Sequence, residues 1–489
     1  MKKLIREPLV NLIVAHGNGY GIGKSNTIPW KIKEDVLYFQ DVTKREYIKG
    51  KKNVLIYGRK TYESMSCQPL KDRVNIVITS KNNIKDVLVN NSLVHAINDA
   101  KKMDIGKIFI CGGSRIYKEA LDNDLVDELY VNHVDIDVDN WDAYFPFNSC
   151  NDKQIFHTFF EKKFSCFDEI TNKHISVKFT KKAKDTNKCI NVNKEEQQYL
   201  NILENILVNG HFRKTRNSNT WSIFGNTMTF DLSEDKLPLL TTKKVFFRGI
   251  FEELIWFLKG DTNSNHLLEK NVKIWEPNTT RSFLNSVNLN HYEEGDIGNL
   301  YGFTWRHFGA KYEGMNKDYT GCGFDQIKYV IDTIKNEPHS RRIMLTSYNP
   351  QTAKEGVLFP CHVLAIFNIE NDNRLSCMMT MRSNDFCCGN PFNIIQYALL
   401  TIFIKEVVNN DPFYKGEKLK LGKLIMNLGD THVYEDHYTQ SIRQILREPY
   451  DFPKIKINRK VFDITDFKFD DLELIDYNCY PVIPFKMIA

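Results

Sequence analysis

The chain has 489 residues, more than one hydrophobic core usually supports, so we predict at least two domains. Its composition, 42% hydrophobic and 26% charged, is typical of a folded soluble protein. The formal net charge of +5 is too small for this length to indicate nucleic-acid binding. It suits small anionic substrates if the positive groups converge in clefts.

Eleven cysteines follow no regular spacing and therefore do not predict a disulfide framework. No Cys-x-x-Cys pair stands with histidines as a zinc site requires, so we expect free thiols and no metal. The N-terminus reaches charged residues and Pro8 before any apolar run of signal length, and no stretch approaches the ~20 apolar residues of a membrane span. These features predict a cytoplasmic protein without a membrane segment.

The first third of the chain alternates short β-branched runs with helical patterns. Strands are predicted at Leu9–Ala15, Asn53–Tyr57, Val74–Thr79, Lys107–Cys111 and Glu128–Val134, and helices at Glu34–Tyr47 and Arg115–Leu121. This alternation is typical of an α/β domain with a largely parallel sheet. Between residues 181 and 194 the composition changes to Lys, Asn, Asp and Thr, which predicts a solvated Lys-rich linker.

Beyond the linker the pattern is different and shares no repeat with the first part. Helices are predicted at Glu195–Val208, Val245–Leu258, Phe324–Lys335 and Phe392–Val408, and strands at Ile343–Ser347, Cys361–Ile369 and Arg374–Arg382. The last helix is nearly all apolar and must be buried. We therefore predict two unlike domains, at residues 8–180 and 195–489.

The first domain carries a glycine loop, an acid and a glycine pair. Gly-Ile-Gly-Lys at 21–24 precedes Ile-Pro-Trp at 28–30, and Asp35 follows on the first turn of a helix. Gly112 and Gly113 join a strand to a helix, where a phosphate can approach backbone amides. Alone, each feature is weak, because a glycine pair is as often a tight turn and such an aspartate is more often a helix cap.

Together with Gly-Arg-Lys-Thr at 58–61 and Pro-Leu-Lys-Asp-Arg at 69–73, these elements resemble dihydrofolate reductase in the family's order. The resemblance implies that Asp35 binds the pterin and favours its protonation, between apolar walls at Ala15 and Phe39 that raise the carboxylate's affinity for a proton. It implies that Arg73 grips the glutamate tail of folate. The NADPH contacts that it implies are Ile22, Gly23, Arg59, Lys60, Thr61, Ser80, Gly113 and Ser114.

One residue departs from the reductase pattern. The family usually has threonine where this chain has Asn132, and that hydroxyl supports the acid through hydrogen bonds. An asparagine amide can also donate and accept. We therefore expect an altered geometry and a retained activity.

In the second domain, Cys361 follows Pro360 and opens an apolar run. A cysteine in this position is more often a buried small hydrophobe than a nucleophile. Arginines at 341, 342 and 382 favour a nucleophile instead, since cationic neighbours depress the pKa of a thiol and expose the thiolate.

Six ordered motifs in this domain resemble thymidylate synthase. They are Phe-Pro-Cys-His at 359–362, Arg-Ser-Asn-Asp at 382–385, Pro-Phe-Asn at 391–393, Leu-Gly-Asp-Thr-His-Val-Tyr at 428–434, Glu-Glu-Leu-Ile-Trp at 252–256 and Tyr-Gly-Phe-Thr-Trp-Arg-His-Phe-Gly at 301–309. The resemblance covers residues 195–489 and implies an α+β fold. It also implies methylation of carbon 5 of the uracil ring in dUMP, with methylenetetrahydrofolate as the carbon donor.

The resemblance implies a role for each matching residue. Cys361 attacks the ring, and Glu253 organises proton transfer. Asn393 recognises the uracil edge, because a side-chain amide can pair with that edge but is mismatched with the edge of cytosine. The other implied nucleotide contacts are Arg216, Arg382, Ser383, Asp385, His432 and Tyr434, with Arg341 and Arg342 from a partner subunit. The implied folate contacts are Trp275, Asn278 and again Asp385.

Some positions depart from the synthase pattern. The phosphate loop at 216–220 lacks the family's usual glycine, and Cys387, Cys388 and Asn390 replace apolar residues beside Gly389. We interpret His362 as structural, because adjacency in sequence does not put it in the position of a base.

The order of the two domains is similar to that of bifunctional reductase–synthase chains of protists and plants. Such a chain makes dTMP and dihydrofolate at one site and reduces dihydrofolate with NADPH at the other. The resemblance also implies a homodimer through the synthase domains, with an isologous interface. Two alternatives stay open: an active synthase with a non-catalytic, regulatory reductase-like domain, and a nucleotide- or RNA-binding module without catalysis.

Overall fold

The structure is a computed structural model that describes residues 7–65, 67–81, 84–146, 156–186, 193–215 and 218–486. The chain divides into two compact units, Met1–Asn191 and Val192–Ala489. Each unit has its own sheet and its own buried core. We call them the reductase domain and the synthase domain, after the families that they resemble.

The reductase domain is built on an eight-stranded sheet. The strands of the domain, two of which lie outside this sheet, are β1 (Val10–His16), β2 (Gly21–Gly23), β3 (Val54–Gly58), β4 (Val74–Ile78), β5 (Leu88–Asn90), β6 (Ile108–Ile110), β7 (Glu128–Val134), β8 (Ala143–Tyr144), β9 (His157–Asp168) and β10 (Lys173–Ala183). The order in the sheet is β5-β4-β3-β6-β1-β7-β10-β9, parallel from β5 to β7 and antiparallel at β10 and β9, while β2 and β8 form a separate ribbon. The predicted mostly parallel sheet is confirmed.

Four helices accompany these strands: α1 (Lys33–Lys44), α2 (Arg59–Ser64), α3 (Leu93–Lys102) and α4 (Ser114–Asp122). The inner strands are mostly apolar and buried, because both faces of the parallel sheet are covered. Helix α3 turns Ala96 and Ala100 into the core, where the small side chains allow close approach to the sheet. The packing leaves the carboxyl ends of the parallel strands free to carry functional groups.

The hairpin of β9 and β10 was not predicted from the sequence. Its strands mix lysines and other polar residues with buried apolar ones such as Phe164, Val177 and Phe179, a pattern suited to a sheet edge with one solvent-exposed face. Residues 181–183 of the predicted linker belong to β10, and Lys181 is buried there with its ammonium group 4.6 Å from the centre of the Phe160 ring. Lys188, in the middle of the predicted linker, lies outside the described residues.

The synthase domain contains a mixed six-stranded sheet and a small two-stranded ribbon. Its strands are β11 (His211–Arg213), β12 (Thr220–Asp231), β13 (Met344–Thr346), β14 (His362–Glu370), β15 (Arg374–Asp385), β16 (Lys420–Tyr434), β17 (Lys454–Ile457) and β18 (Leu472–Ile475). The large sheet has the order β11-β12-β16-β15-β14-β13, in which only β15 and β16 are parallel. That parallel pair brings two of the predicted motifs, 382–385 and 428–434, side by side.

The helices of this domain are α5 (Lys194–Asn209), α6 (Phe247–Leu258), α7 (Asn265–Leu268), α8 (Arg281–Ser286), α9 (Tyr301–Arg306), α10 (Gln326–Asn336), α11 (Gly389–Asn410) and α12 (Tyr438–Ile445). Helix α11 has 22 residues and, by length and composition alone, could cross a membrane, which no stretch was expected to do. Its most apolar window is 83% buried inside the domain, so it serves as the core helix that the sequence predicted.

Two candidate active sites

The predicted acid of the reductase domain is buried at the start of α1. One carboxylate oxygen of Asp35 accepts a hydrogen bond from Trp30 Nε1 at 3.1 Å, and the other accepts one from Asn132 Nδ2 at 2.7 Å. Burial raises the pKa of Asp35 above its ordinary value, and these two hydrogen bonds oppose the rise. The result is a fixed carboxyl group whose proton is held more tightly than in water.

Asn132 takes the place that threonine has in the family. It lies on β7 directly beside Ala15 of β1, so the strand register holds its amide against the acid. The amide oxygen of Asn132 is buried and has no hydrogen-bond partner. A direct N–H···O contact thus supports Asp35, and a free acceptor remains beside it, which agrees with the expected altered geometry.

One face of α1 leads from the acid to Arg73. Asp35, Phe39 and Thr43 follow each other at four-residue spacing, so they share this face. The guanidinium of Arg73 is buried and donates to Thr43 Oγ1 at 2.8 Å. Within the described residues no carboxylate forms an ion pair with Arg73; its neighbour Asp72 pairs with Lys44 instead. A buried cation without an anionic partner is suited to an acidic ligand.

The predicted cofactor residues gather at the carboxyl ends of the parallel strands. The amide of Gly58 donates to the carbonyl of Gly112 at 2.7 Å, which holds the starts of α2 and α4 together. A side chain on Gly113 would come within 3.3 Å of Thr61 Oγ1, so the two residues face each other closely. The remaining predicted contacts lie around this point: Arg59 and Lys60 in α2, Ser80 just after β4, Ser114 at the start of α4, and Ile22 and Gly23 in β2.

Ribbon β2–β8 reaches this edge through Tyr144, whose amide donates to Ser114 Oγ at 3.0 Å. Arg59 forms an ion pair with Glu63 at 2.6 Å, one helical turn away. Both groups are partly exposed, so this pair is weak and leaves Arg59 available to a phosphate.

In the synthase domain, Cys361 is held by its backbone and by Arg382. The amide of Cys361 donates to the hydroxyl of Tyr301 at 2.9 Å. Arg382, on the neighbouring strand, donates from its guanidinium to the carbonyls of Phe359 and Pro360 at 2.8 and 2.9 Å. Its Nη2 also lies 3.9 Å from the thiol sulfur. The arginine therefore orders the segment that carries the thiol.

The pKa of Cys361 differs from the sequence-based expectation. Burial is the largest influence and raises the pKa of the thiol, while Arg382 lowers it, as expected of a nearby cation. Asp385 adds to the rise. The expected effect of the arginine is therefore present, but the net depression is not, because the loss of solvent around the sulfur outweighs one guanidinium.

Glu253 is buried on α6 and accepts two hydrogen bonds. Trp275 Nε1 donates to one carboxylate oxygen at 2.7 Å, and Gln396 Nε2 donates to the other at 2.5 Å. Burial raises the pKa of Glu253 to about 7, against these two bonds. A carboxyl group with this pKa can both give and take a proton at neutral pH.

A hydrogen-bond chain continues from Glu253 along α11. Gln396 lies one turn beyond Asn393, and Asn393 Nδ2 lies 3.5 Å from Gln396 Oε1 and 2.7 Å from His362 Nε2. Burial lowers the pKa of His362 to about 3, so the ring is neutral and accepts this bond. His362 thus orients Asn393, in agreement with its structural interpretation.

The parallel pair β15–β16 assembles most of the predicted nucleotide contacts. Ser383 lies beside Asp430, and Asp385 lies beside His432. His432 Nδ1 is 3.1 Å from a carboxylate oxygen of Asp430, which orients the ring. Burial raises the pKa of Tyr434 to about 12, so its hydroxyl stays protonated.

The remaining predicted synthase residues have different surroundings. Trp275 and Asn278 are buried on either side of a helical turn beside Glu253. Arg341 and Arg342 are exposed in the turn just before β13. Arg216 lies outside the described residues.

Several functional neighbours were missed from the sequence. Tyr301 and Gln396 contact predicted site residues directly, and so does Thr43 in the reductase domain. Gln396 could have been found, because it follows Asn393 by three residues on a buried helix. Nothing in the sequence brings Tyr301 to the amide of Cys361, sixty positions away.

Comparison with known proteins defines the class of each domain. The dihydrofolate reductase family model matches residues 9–182, and the thymidylate synthase family model matches residues 197–489. The chain is therefore a reductase domain joined to a synthase domain.

Curated relatives extend the similarity over nearly the whole chain. The bifunctional dihydrofolate reductase-thymidylate synthase of Paramecium tetraurelia is 40% identical over 98% of this chain and 98% of its own length. The protein of the same description from Zea mays is 37% identical over 97% of this chain and 96% of its own, and that of Leishmania major is 34% identical over 98% and 94%. The chain belongs to the bifunctional dihydrofolate reductase–thymidylate synthase family.

The chain accordingly catalyses two consecutive reactions. It converts dUMP and methylenetetrahydrofolate to dTMP and dihydrofolate, and it reduces dihydrofolate to tetrahydrofolate with NADPH. The similarity to bifunctional relatives, together with the two hydrogen bonds that hold Asp35, favours catalysis in the first domain over a purely regulatory role.

Proposed function

We propose that the residues gathered in the two sites carry out these reactions in the roles that their geometry suits. In the reductase domain, Asp35 binds the amino-pyrimidine edge of the pterin and promotes protonation of the ring as NADPH delivers its hydride. Arg73 binds a carboxylate of the glutamate tail, which its buried and unpaired guanidinium supports. Thr61, Gly113 and Ser114, with their neighbours, bind the phosphates and ribose of the cofactor.

In the synthase domain, the Cys361 thiolate adds to carbon 6 of the uracil ring, which makes carbon 5 nucleophilic toward the folate methylene group. Arg382 and Ser383 bind the phosphate, and the contacts of Arg382 with the carbonyls of Phe359 and Pro360 keep its guanidinium beside the nucleophile. His432 and Tyr434 bind the deoxyribose hydroxyl, while Asp385 contacts the pterin.

The single observation that carries this proposal is the hydrogen-bond chain from Glu253 through Gln396 and Asn393 to His362. It couples the group that moves protons to the amide that recognises the ring. Asn393 has its amide oxygen as an acceptor for N3–H, and the N–H that makes only the long 3.5 Å contact with Gln396 can turn to O4, so the side chain selects uracil over cytosine. Proton transfer and base recognition therefore depend on one ordered network beside the nucleophile.

Replacing Glu253 with glutamine tests that role. We expect the synthase kcat to fall by roughly 10²–10⁴-fold, because the variant cannot exchange a proton near neutrality. The folded-state pKa of Glu253, about 7, exceeds its ordinary value of 4.5. Ionisation of this carboxyl group as pH rises between the two values therefore lowers the stability of the folded wild type relative to the unfolded chain. The variant should gain about 3 kcal/mol of stability over wild type between pH 4.5 and pH 8, which denaturant unfolding measures.

Glu252, the neighbouring carboxylate, provides the matched control because it forms an ion pair with Lys270. Glu252→Gln should keep the synthase rate within a small factor of wild type. Equal rates for Glu253→Gln and wild type would contradict the proposed proton transfer.

We also propose that the chain forms a homodimer through the synthase sheet. Met344, Ile366, Met378 and Ile425 are adjacent in register on four neighbouring strands and are only half-buried, with Met344 39% exposed. The alternate positions on these strands, such as Leu345 and Phe367, are fully buried. One apolar sheet face thus stays uncovered in the single chain, which supports an isologous contact with a second copy.

Arg341 and Arg342 adjoin β13 at the edge of this face, so a partner bound there would receive both guanidinium groups. To test this, a Cys361→Ser chain is mixed with an Arg341→Ala/Arg342→Ala chain under conditions of subunit exchange. We expect about one quarter of wild-type synthase activity, because half of the dimers are mixed and each holds one intact site. Activity no higher than the mean of the two parents would contradict a shared site.

We further propose a cytoplasmic location without membrane insertion. The nine described cysteines are all free thiols, which is typical of a reducing compartment. Helix α11 is buried in the core of its own domain. Fractionation of cells expressing the chain tests this: recovery in the membrane pellet after a salt wash would contradict it.

A further inference from the structure

A carboxylate, a thiol and an imidazole converge beside the synthase site. One possible ligand atom from each of Asp385, Cys388 and His437 lies within 4.8 Å of the others. Within the residues that the structure describes, this is the one group of three such side chains. We call it the 385–388–437 triad.

The carboxylate of the triad is held by the backbone. Asp385 Oδ1 accepts hydrogen bonds from the amides of Cys387 and Cys388, each at 3.0 Å. The sulfur of Cys388 lies within 4.8 Å of an oxygen of this carboxylate. A cation that replaces the thiol proton would therefore find a sulfur and an oxygen already facing each other.

The imidazole of the triad is set in one tautomer. His437 is fully buried, and its Nε2 donates to the carbonyl of Lys486 at 2.7 Å. The other ring nitrogen, Nδ1, then carries a lone pair, and it is buried without a hydrogen-bond partner. A histidine that donates one N–H to a carbonyl and leaves its second nitrogen free has the arrangement common among metal-bound histidines.

We propose that the 385–388–437 triad binds a divalent transition-metal cation of the Zn²⁺ class. Sulfur and imidazole ligands select Zn²⁺ or Co²⁺ over Mg²⁺ and Ca²⁺, which prefer oxygen. On binding, the S–H bond of Cys388 breaks, the proton goes to solvent, and the thiolate bonds to the metal. Ligand atoms in a tetrahedral site lie about 3.6 Å apart, so the triad must close by about 1 Å, and water supplies the fourth position.

Charge in the surroundings permits this binding. Lys243 is buried nearby and donates to the carbonyl of Cys387 at 2.6 Å. Its positive charge opposes a second cation, but the Cys388 thiolate and the Asp385 carboxylate together offset most of the metal's charge.

The sequence predicted no metal, because no Cys-x-x-Cys pair stands with histidines. The triad has no such spacing: Asp385 and Cys388 adjoin the start of α11, while His437 lies some fifty positions later, before α12. Only the fold brings the three together.

Co²⁺ titration of the full chain tests the site by spectroscopy, independently of enzyme activity. Wild type should bind one Co²⁺ with a thiolate-to-metal charge-transfer band. Cys388→Ala, and separately Cys388→Leu, which restores an apolar residue, should lose the band and weaken Co²⁺ binding by roughly 100-fold or more. Cys322→Ala, which removes an exposed thiol of the same domain, should behave like wild type. An absent band in wild type, or an undiminished band in the folded Cys388 variants, would overturn the proposal.

A consequence concerns regulation and rests on the proposed folate contact of Asp385. Since a metal would occupy the same carboxylate, Zn²⁺ should compete with methylenetetrahydrofolate and raise its apparent KM in wild type but not in Cys388→Leu. If the Co²⁺ band forms as expected while the KM is unchanged, the metal site stands and the folate role of Asp385 is wrong.

Discussion

Replacement of Cys361 by serine is expected to abolish dTMP formation and leave the NADPH-dependent reduction of dihydrofolate at the wild-type rate. The hydroxyl is a far weaker nucleophile than a thiolate, and no second thiol is held by Tyr301 and Arg382 as this one is. The synthase rate should fall by a factor on the order of 10³ or more. Tritium release from carbon 5 of labelled dUMP measures the synthase step directly.

Cys377 provides a matched control because it is a fully buried thiol of the same domain without a proposed role. Cys377→Ala should retain most of the synthase activity in folded protein. A covalent complex with 5-fluoro-dUMP should form in wild type and in Cys377→Ala, and should be absent in Cys361→Ser. Its formation by the serine variant would contradict the assignment of the nucleophile.

The second large effect is expected from Asp35→Asn. Reduction of dihydrofolate should fall by roughly 10²–10⁴-fold, because the amide cannot favour protonation of the pterin ring. In wild type the raised pKa of Asp35 implies that the rate declines as pH rises through that pKa and the carboxyl loses its proton. The residual rate of the variant should lack this dependence on Asp35 and increase at low pH, where solvent supplies the proton.

Glu34, the neighbouring acid on α1, serves as the control because no site contact is proposed for it. Glu34→Gln should reduce dihydrofolate at a rate close to wild type, and both variants should keep the synthase rate. Equal, near-zero reductase rates in wild type and Asp35→Asn would instead favour the regulatory reductase-like domain.

The fold was largely predictable wherever one periodicity dominates. Strand Glu128–Val134 follows from its short β-branched and aromatic segment, and helix α11 follows from a long, nearly all-apolar run that must be buried. Hairpin β9–β10 was missed because lysines and threonines interrupt its apolar side, and because Lys181 is buried against aromatic rings. From sequence alone, a charged residue in an edge strand predicts a solvent-exposed position, and only the folded structure shows the neighbours that bury it.

The site residues divide in the same way, into those that local sequence predicts and those that depend on the folded structure. Cys361, Asn393 and Asp35 lie in short motifs whose chemistry can be recognised locally. The rise in the pKa of Cys361 was unpredictable from charge counting, since it depends on how completely the fold removes water from the sulfur. Contacts that join distant segments, such as Tyr301 with Cys361, need the folded chain.

The fold also explains why Asn132 can replace threonine. Register on β7 places its amide 2.7 Å from Asp35, so the hydrogen bond to the acid is direct. The unpartnered amide oxygen remains as an acceptor that a bound pterin amino group can satisfy. We therefore propose that Asn132 supports the acid by a direct hydrogen bond where the family uses a threonine hydroxyl.

The most direct test of the central claim follows NADPH and dTMP together in one reaction of the purified full chain. In a mixture of methylenetetrahydrofolate and NADPH, oxidation of NADPH should begin only when dUMP is added. One NADPH should then be consumed for each dTMP formed. Asp35→Asn should form dTMP while dihydrofolate accumulates. Formation of dTMP by wild type without matching NADPH oxidation would contradict two consecutive activities on this chain.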